Sequence, residues 1–205
     1  MYRKFLIVAF LILAGLISFK LYYSLTAFSQ LQADPYGTSA GSTNPTLIIT
    51  EVMDYRCVHC QNMHDVVETF LALHPEARVV YRYYPIMGQQ SIYEAKMAIA
   101  AARQGKFAEM HQLLITRKEH VRPDDLEGIV RDLELDAVRF HDDLVSWKIT
   151  MSIVNTIIAA QAKKIRSTPT FIVNGKAYTN APAMGTIEGF EETIKESLDK
   201  KDNKS

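Results

Sequence analysis

Cys57 and Cys60 are the only cysteines among 205 residues, and they lie in the tetrapeptide Cys57-Val58-His59-Cys60. At that spacing, about one helical turn, two sulfurs can close a small ring. The residues that follow have helical periodicity, which places Cys57 at a helix N-terminus. Backbone N–H groups lack partners there and the helix dipole is positive. Such a site favours the thiolate, the reactive form of cysteine. His59 adds a donor, and a charge when protonated, beside the sulfur of Cys57. Reversible thiol–disulfide exchange is the chemistry that best fits these residues.

Three other chemistries use the same residues. A metal site built from Cys57, Cys60 and His59 or His64 has only two thiolates and no second pair. Haem attachment needs a histidine directly after the second cysteine, and position 61 is Gln61. A purely structural disulfide across so short a loop removes little chain entropy. Two other features fit exchange. Glu51 precedes the cysteines on an otherwise apolar stretch (Ile48, Ile49, Val52, Met53), where burial would raise its pKa and let it accept the proton of Cys60. Ser167-Thr168-Pro169-Thr170 opens a later β-rich stretch, and an X–Pro bond is where a cis peptide can occur.

The elements that must position these residues can be followed along the chain. Thr46–Met53 is β-branched and predicts a strand. Gln61–Leu73 carries Met63, Val66, Val67, Phe70 and Leu71 on one helical face. Ala77–Tyr84 predicts a second strand, ended by Pro85. A strand–helix–strand unit of this size favours parallel strands with a right-handed crossover. Ser91 with Glu94 suggests a capping box opening a helix over Tyr93–Gln104, which Gly105 breaks. Further helices are predicted over Phe107–Thr116, Pro123–Leu133, Asp136–Leu144 and Lys148–Lys164. Thr170–Val173 and Lys176–Tyr178 flank Asn174-Gly175, a strong hairpin signal. Thr186–Leu198 predicts a closing amphipathic helix.

The N-terminus carries Arg3 and Lys4 before the apolar run Phe5–Phe19, the pattern of an export signal. Fifteen helical residues rise about 22 Å, short of a ~30 Å hydrocarbon core. Past Lys20, however, Leu21, Tyr22, Tyr23 and Leu25 continue the apolar character, and tyrosines favour the membrane interface. The run is either an uncleaved anchor over residues 5–27 or a signal peptide cut after Ser29 or Ala33. The missing cleavage signal close behind Phe19 favours the anchor. Both readings place the rest of the chain outside the cytoplasm, with the basic residues inside.

The organisation expected is therefore a signal peptide or anchor at 1–33 and a turn-rich linker at 34–45. The first part of a sheet domain follows at 46–90, with a helical insertion at 91–166. The second part of the sheet domain occupies 167–200, and a charged tail 201–205. The formal net charge is zero, which argues against a nucleic-acid partner. The absence of a Gly-rich phosphate loop gives no sign of a nucleotide or flavin, and no cofactor or metal is expected.

Three stretches, TLIITEVMDYRCVHC at 46–60, QGKFAEMH at 104–111 and STPTFIVNG at 167–175, resemble the DsbA-like thiol–disulfide oxidoreductases. The resemblance spans residues from about 41 to 200. It implies an α/β thioredoxin fold with an inserted all-helical subdomain, preceded here by the signal or anchor helix. It also implies that Cys57 is the attacking and disulfide-donating thiol, with Cys60 the buried resolving thiol and Glu51 the acid beneath it. Thr168-Pro169 would be a cis-proline loop that pairs with substrate backbone, and Val58 would face substrate beside Cys57. Strongly oxidising members usually have proline where this chain has Val58, and valine where it has Thr168. Threonine there is frequent among isomerases, whereas His59 matches the oxidants. Implied partners are newly exported or unfolded cysteine-containing proteins and a quinone-linked membrane protein that restores the disulfide. The implied location is the bacterial periplasm or the outer face of the cytoplasmic membrane. The alternatives are an isomerase or reductase kept reduced by a membrane partner, and a non-enzymatic metal-binding carrier.

Overall fold

The computed structural model describes residues 2–179 and 182–202. Five strands form one sheet in the order β1-β3-β2-β4-β5. They are β1 (Ser39–Gly41), β2 (Leu47–Met53), β3 (Ala77–Tyr83), β4 (Thr170–Val173) and β5 (Lys176–Thr179). Strands β2 and β3 are parallel, and every other pair is antiparallel. Helix α1 (Tyr2–Gln32) comes first, and helix α2 (Val58–Leu73) makes the crossover from β2 to β3. Between β3 and β4 lie α3 (Gln89–Ala102), α4 (Phe107–Thr116), α5 (Leu126–Asp132), α6 (Ala137–Val145) and α7 (Trp147–Ala162). Helix α8 (Ile187–Asp202) closes the fold. This is a mixed α/β thioredoxin fold carrying a helical insertion.

Strand alternation sorts the sheet into two faces. Ile49, Glu51 and Met53 of β2 stand level with Val79, Tyr81 and Tyr83 of β3. With Phe171 and Val173 they pack under Met63, Val67 and Phe70 of α2 and Phe190 and Ile194 of α8. The ring of Phe190 meets those of Phe70 and Phe171 edge-on at 5.1 and 4.9 Å. On the other face Val52 and Ile172 are covered by Ala159 and Ala160 of α7 and by Ala27 and Leu31 of α1. Asn174 (φ 49°) and Gly175 (φ 72°) both take the left-handed conformation that a two-residue hairpin needs.

Several elements differ from the sequence expectations. The expected linker at 34–45 contains β1, a short edge strand. Gly41 sits at φ 95° with its backbone against Ala77, where a Cβ would collide with the Ala77 carbonyl oxygen. Helix α1 is longer than the expected anchor at 5–27, because its last turns bury Ala27 and Leu31 against the sheet domain. The Ser91–Glu94 capping box does not form. Gly88 occupies the cap position, the helix begins at Gln89, and both Ser91 and Glu94 are buried inside it. Residues 203–205 of the expected charged tail lie outside the described residues, and 201–202 end α8.

Candidate active site

The loop from β2 to α2 is held from below by Asp54. Its carboxylate accepts hydrogen bonds from the backbone N–H of Arg56 at 2.9 Å, Ile86 at 2.7 Å and Met87 at 2.9 Å. Its carbonyl oxygen accepts from the Cys57 N–H at 3.0 Å. One buried side chain thus ties the loop after β2 to the loop after β3. Cys57 occupies the N-cap of α2, next to the N–H groups of the helix's first turn.

Cys57 is 8% exposed and Cys60 1%. Both are thiols. The Cys57 thiol donates to the carbonyl oxygen of Thr168 at 3.2 Å, and the Thr168–Pro169 peptide bond is cis. The Thr168 hydroxyl is buried and has no hydrogen-bond partner among the described residues. The Cys57 pKa is pulled down to about 5. The largest cause is a hydrogen bond from the Cys60 thiol. Burial opposes it, and the Thr168 hydroxyl and the backbone N–H groups of Cys60 and His59 add to it. Burial pushes the Cys60 thiol well up, helped by its bond to Cys57 and the charge of Glu51. Glu51 lies on the sheet face beneath α2, and its pKa is raised to about 8, first by burial and then by the charge on Cys57.

The structure brings Cys57, Cys60, Thr168 and Pro169 together, with Glu51 below them. The His59 side chain is exposed, and its backbone N–H is one of the groups that stabilise the sulfur. Val58, 57% exposed, stands beside Cys57 as the most solvent-facing apolar residue of the motif. His64, considered as a metal ligand, instead has its Nε2 2.9 Å from Gln112 Oε1. Among the described residues no three His, Cys, Asp or Glu side chains are placed to hold a metal ion.

Sequence reasoning missed a neutral polar cluster around Glu51. The Tyr55 hydroxyl lies 2.9 Å from His111 Nδ1 and 3.2 Å from the Tyr83 hydroxyl. The Tyr81 ring lies 4.3 Å from that of His111. Burial, with a smaller push from His64, drops the His111 pKa to about 3, so the imidazole is neutral. Burial also lifts Tyr55 and Tyr81 well above the ordinary tyrosine value. Neutral rings leave Glu51 without a counter-charge from this cluster. The alternation in AlaArgValValTyrArgTyr of β3 would have shown that Tyr81 and Tyr83 share a face. His111 lies in the stretch QGKFAEMH at 104–111, but nothing in the sequence links it to Tyr55.

Similarities to known proteins agree with this geometry. A family model described as Thioredoxin matches residues 33–196. The thioredoxin-like oxidoreductase from Silicibacter pomeroyi DSS-3 is 25% identical and superposes with a TM-score of 0.71, over 86% of this chain and 98% of that one. The thiol–disulfide exchange protein alpha-DsbA2 from Wolbachia pipientis shares the fold at 19% identity and a TM-score of 0.71, covering 87% and 96%. Part of the Na(+)/H(+) antiporter NhaA 3 of Salinispora tropica is 31% identical over 140 residues, 67% of this chain but 22% of the antiporter. The chain therefore spans about a fifth of the length of the curated relatives it matches, and their transport function is theirs alone. The matched region runs from before β1 into α8 and includes both cysteines and the cis-proline loop, so the chain belongs to the thioredoxin family.

Proposed function

We propose that this chain donates a Cys57–Cys60 disulfide to cysteine-containing proteins newly delivered to the outer face of the bacterial cytoplasmic membrane, where α1 anchors it. The observation that carries the reading is the asymmetry of the two sulfurs. Cys57 is the more accessible and holds a stabilised thiolate, whereas Cys60 is enclosed and stays protonated.

That asymmetry orders the reaction. A substrate thiolate attacks the Cys57 sulfur, the S–S bond to Cys60 breaks, and Cys60 leaves as a thiolate. Glu51, protonated below about 8, supplies the proton that Cys60 takes up. The second substrate thiol, having lost its proton to solvent, attacks its partner sulfur and expels Cys57 as the low-pKa leaving thiolate. The substrate loses two electrons to the enzyme. A quinone-linked membrane protein is the proposed acceptor that takes them onward. The substrate backbone pairs with the Thr168–Pro169 loop, and Val58 meets its side chains.

The reduction potential of the Cys57/Cys60 pair, measured against glutathione, tests the direction. A value near the oxidising end, around −120 mV, supports donation, and one near −270 mV assigns the chain to reduction. Thr168 favours a second reading, an isomerase kept reduced by a membrane partner, and the same measurement separates the two. Anchoring is supported by Ala27 and Leu31. Cleavage after Ala33 would remove both and uncover Val52 and Ile172.

A further inference from the structure

On the sheet face opposite the cysteines, residues of α1 and α7, of the segment after α1, and Arg82 of β3 line a cavity of about 540 Å³. Its walls are amphipathic. Tyr22, Tyr23, Tyr36, Trp147 and Met151 supply rings and a thioether, and two cations, Arg82 and Lys148, line it with no acidic residue among the lining side chains. Arg82 is 7% exposed. Its two terminal nitrogens are fixed, one donating to the Ala33 carbonyl oxygen at 3.1 Å and the other to Thr156 Oγ1 at 2.8 Å. Its Nε is buried and has no acceptor among the described residues. Asp34 lies near enough for its charge to act on Arg82, but among the described residues it forms no ion pair with it and instead accepts from the Thr38 N–H and hydroxyl at 2.6 and 3.3 Å. A buried, incompletely satisfied cation at a polar opening is complementary to an anion.

The place of the cavity along α1 points to the source of that anion. From Phe5 to Tyr22 the helix rises about 26 Å, close to the thickness of a hydrocarbon core. Large apolar side chains along that stretch are exposed. Tyr22 and Tyr23 therefore lie where the acyl chains end, and Trp147, 70% exposed at the start of α7, joins them in an aromatic rim. The cavity runs from there to Ala33, through the depth of the headgroups. We propose that it is a binding site for the headgroup of an anionic phospholipid of the outer leaflet. The phosphate would face Arg82 and Lys148, and the glycerol and upper acyl chains would lie along Tyr22, Trp147 and Met151. This rests on the anchored reading of α1.

Trp147 is the only tryptophan in the chain, so its fluorescence reports the site alone. The full chain is reconstituted in phosphatidylcholine vesicles containing a small fraction of lipid brominated high on the acyl chain, carried either by phosphatidylglycerol or by phosphatidylcholine. The brominated phosphatidylglycerol should quench Trp147 with an apparent affinity about fivefold higher, the effect of one basic residue near a membrane surface. Arg82→Gln should abolish that preference while the chain stays in the carbonate-washed pellet and still exchanges disulfides. Lys148→Glu, on an exposed position, tests the second cation of the site if Arg82→Gln does not fold, and should likewise abolish the preference. Equal quenching by the two lipids in an anchored chain overturns the site and leaves the anchor standing. A chain that begins at Asp34 and is soluble overturns both, since Tyr22, Tyr23 and Gln30 are then gone. A Trp147 response to inorganic phosphate in detergent, without lipid, assigns the site to a free anion and overturns the lipid.

Discussion

The Cys57 thiol donates to the Thr168 carbonyl oxygen at 3.2 Å, joining residues 111 positions apart in the chain. A thiol that donates there gives up the bond when it ionises, because a thiolate has no proton to donate. The buried Thr168 hydroxyl, unpartnered and among the groups that lower the Cys57 pKa, is then available to donate to the thiolate. The same loop residue therefore serves both protonation states of the sulfur, through its backbone in one and its side chain in the other.

Removing that hydroxyl should raise the Cys57 pKa. With Thr168→Val, the pH midpoint of iodoacetamide reactivity should move upward from about 5 by roughly half to one unit, the size of a single hydrogen bond to a charged group discounted for solvent. An unchanged midpoint would assign the depressed pKa to the Cys60 thiol and the helix N–H groups alone.

The resolving role of Cys60 predicts a trapping phenotype. Cys60→Ala should accumulate mixed disulfides with client proteins, since no thiol remains to release them, and Cys57→Ala should accumulate none. Diagonal gels distinguish the two. Adducts carried by Cys60 in the Cys57→Ala protein would reverse the assignment.

The thiolate also makes the reduced protein pH-sensitive. The folded pKa of about 5 lies below the ordinary thiol value of 9.0. The resulting stability is therefore full above about 9 and is lost as pH falls through about 5. At pH 7 it amounts to at most about 2.7 kcal/mol, and water at the exposed edge of the sulfur screens part of that. The disulfide has no thiolate to stabilise, so urea melts should show the reduced form gaining on the oxidised form at pH 7 and losing that gain towards pH 5. A difference independent of pH would remove the thiolate as its cause.

Glu51 works in the opposite sense. Its folded pKa of about 8 lies above the carboxylate value of 4.5, so its stability is full below about 4.5 and is lost as pH rises through about 8. Near pH 7 the buried carboxyl costs up to about 3 kcal/mol. Glu51→Gln should therefore be more stable than the parent at pH 7 and similar to it near pH 4, while release of Cys60 from the disulfide slows. A less stable variant at pH 7 would mean that Glu51 is not the strained acid beneath the dithiol.

Leu31 tests whether the last turns of α1 belong to the folded domain. It is fully buried against Val52, Ile165 and Ile172. Leu31→Ala should cost about 2–5 kcal/mol, as for other large-to-small core changes, and lower the thermal midpoint of the full chain. An unchanged midpoint would show that α1 is not part of the core.

The local sequence carried much of this protein. The β-branched run Thr46–Met53, the β-rich run Ala77–Tyr84, helical periodicity after Cys57 and turn chemistry at Asn174-Gly175 are short-range signals, and each element formed near its expected place. The C-x-x-C spacing at a strand-to-helix junction likewise sufficed to place Cys57 at the start of α2, because a helix N-terminus is set by its own first turn. Tertiary structure decided what depended on distant partners. Ser39–Gly41 has the composition of a linker and becomes a strand only because the edge of β3 accepts it. Ser91 and Glu94 have the spacing of a cap, but Gly88 supplies the turn first, and Glu94 is drawn beside Arg56 and Gln90. The Tyr55, Tyr83 and His111 cluster joins three separate segments, and the length of α1 depends on a cover for Val52 and Ile172. Side-chain type and spacing determined which groups could react. Which of them are buried, and therefore which keep their protons, was decided only when remote segments closed over them and removed the water.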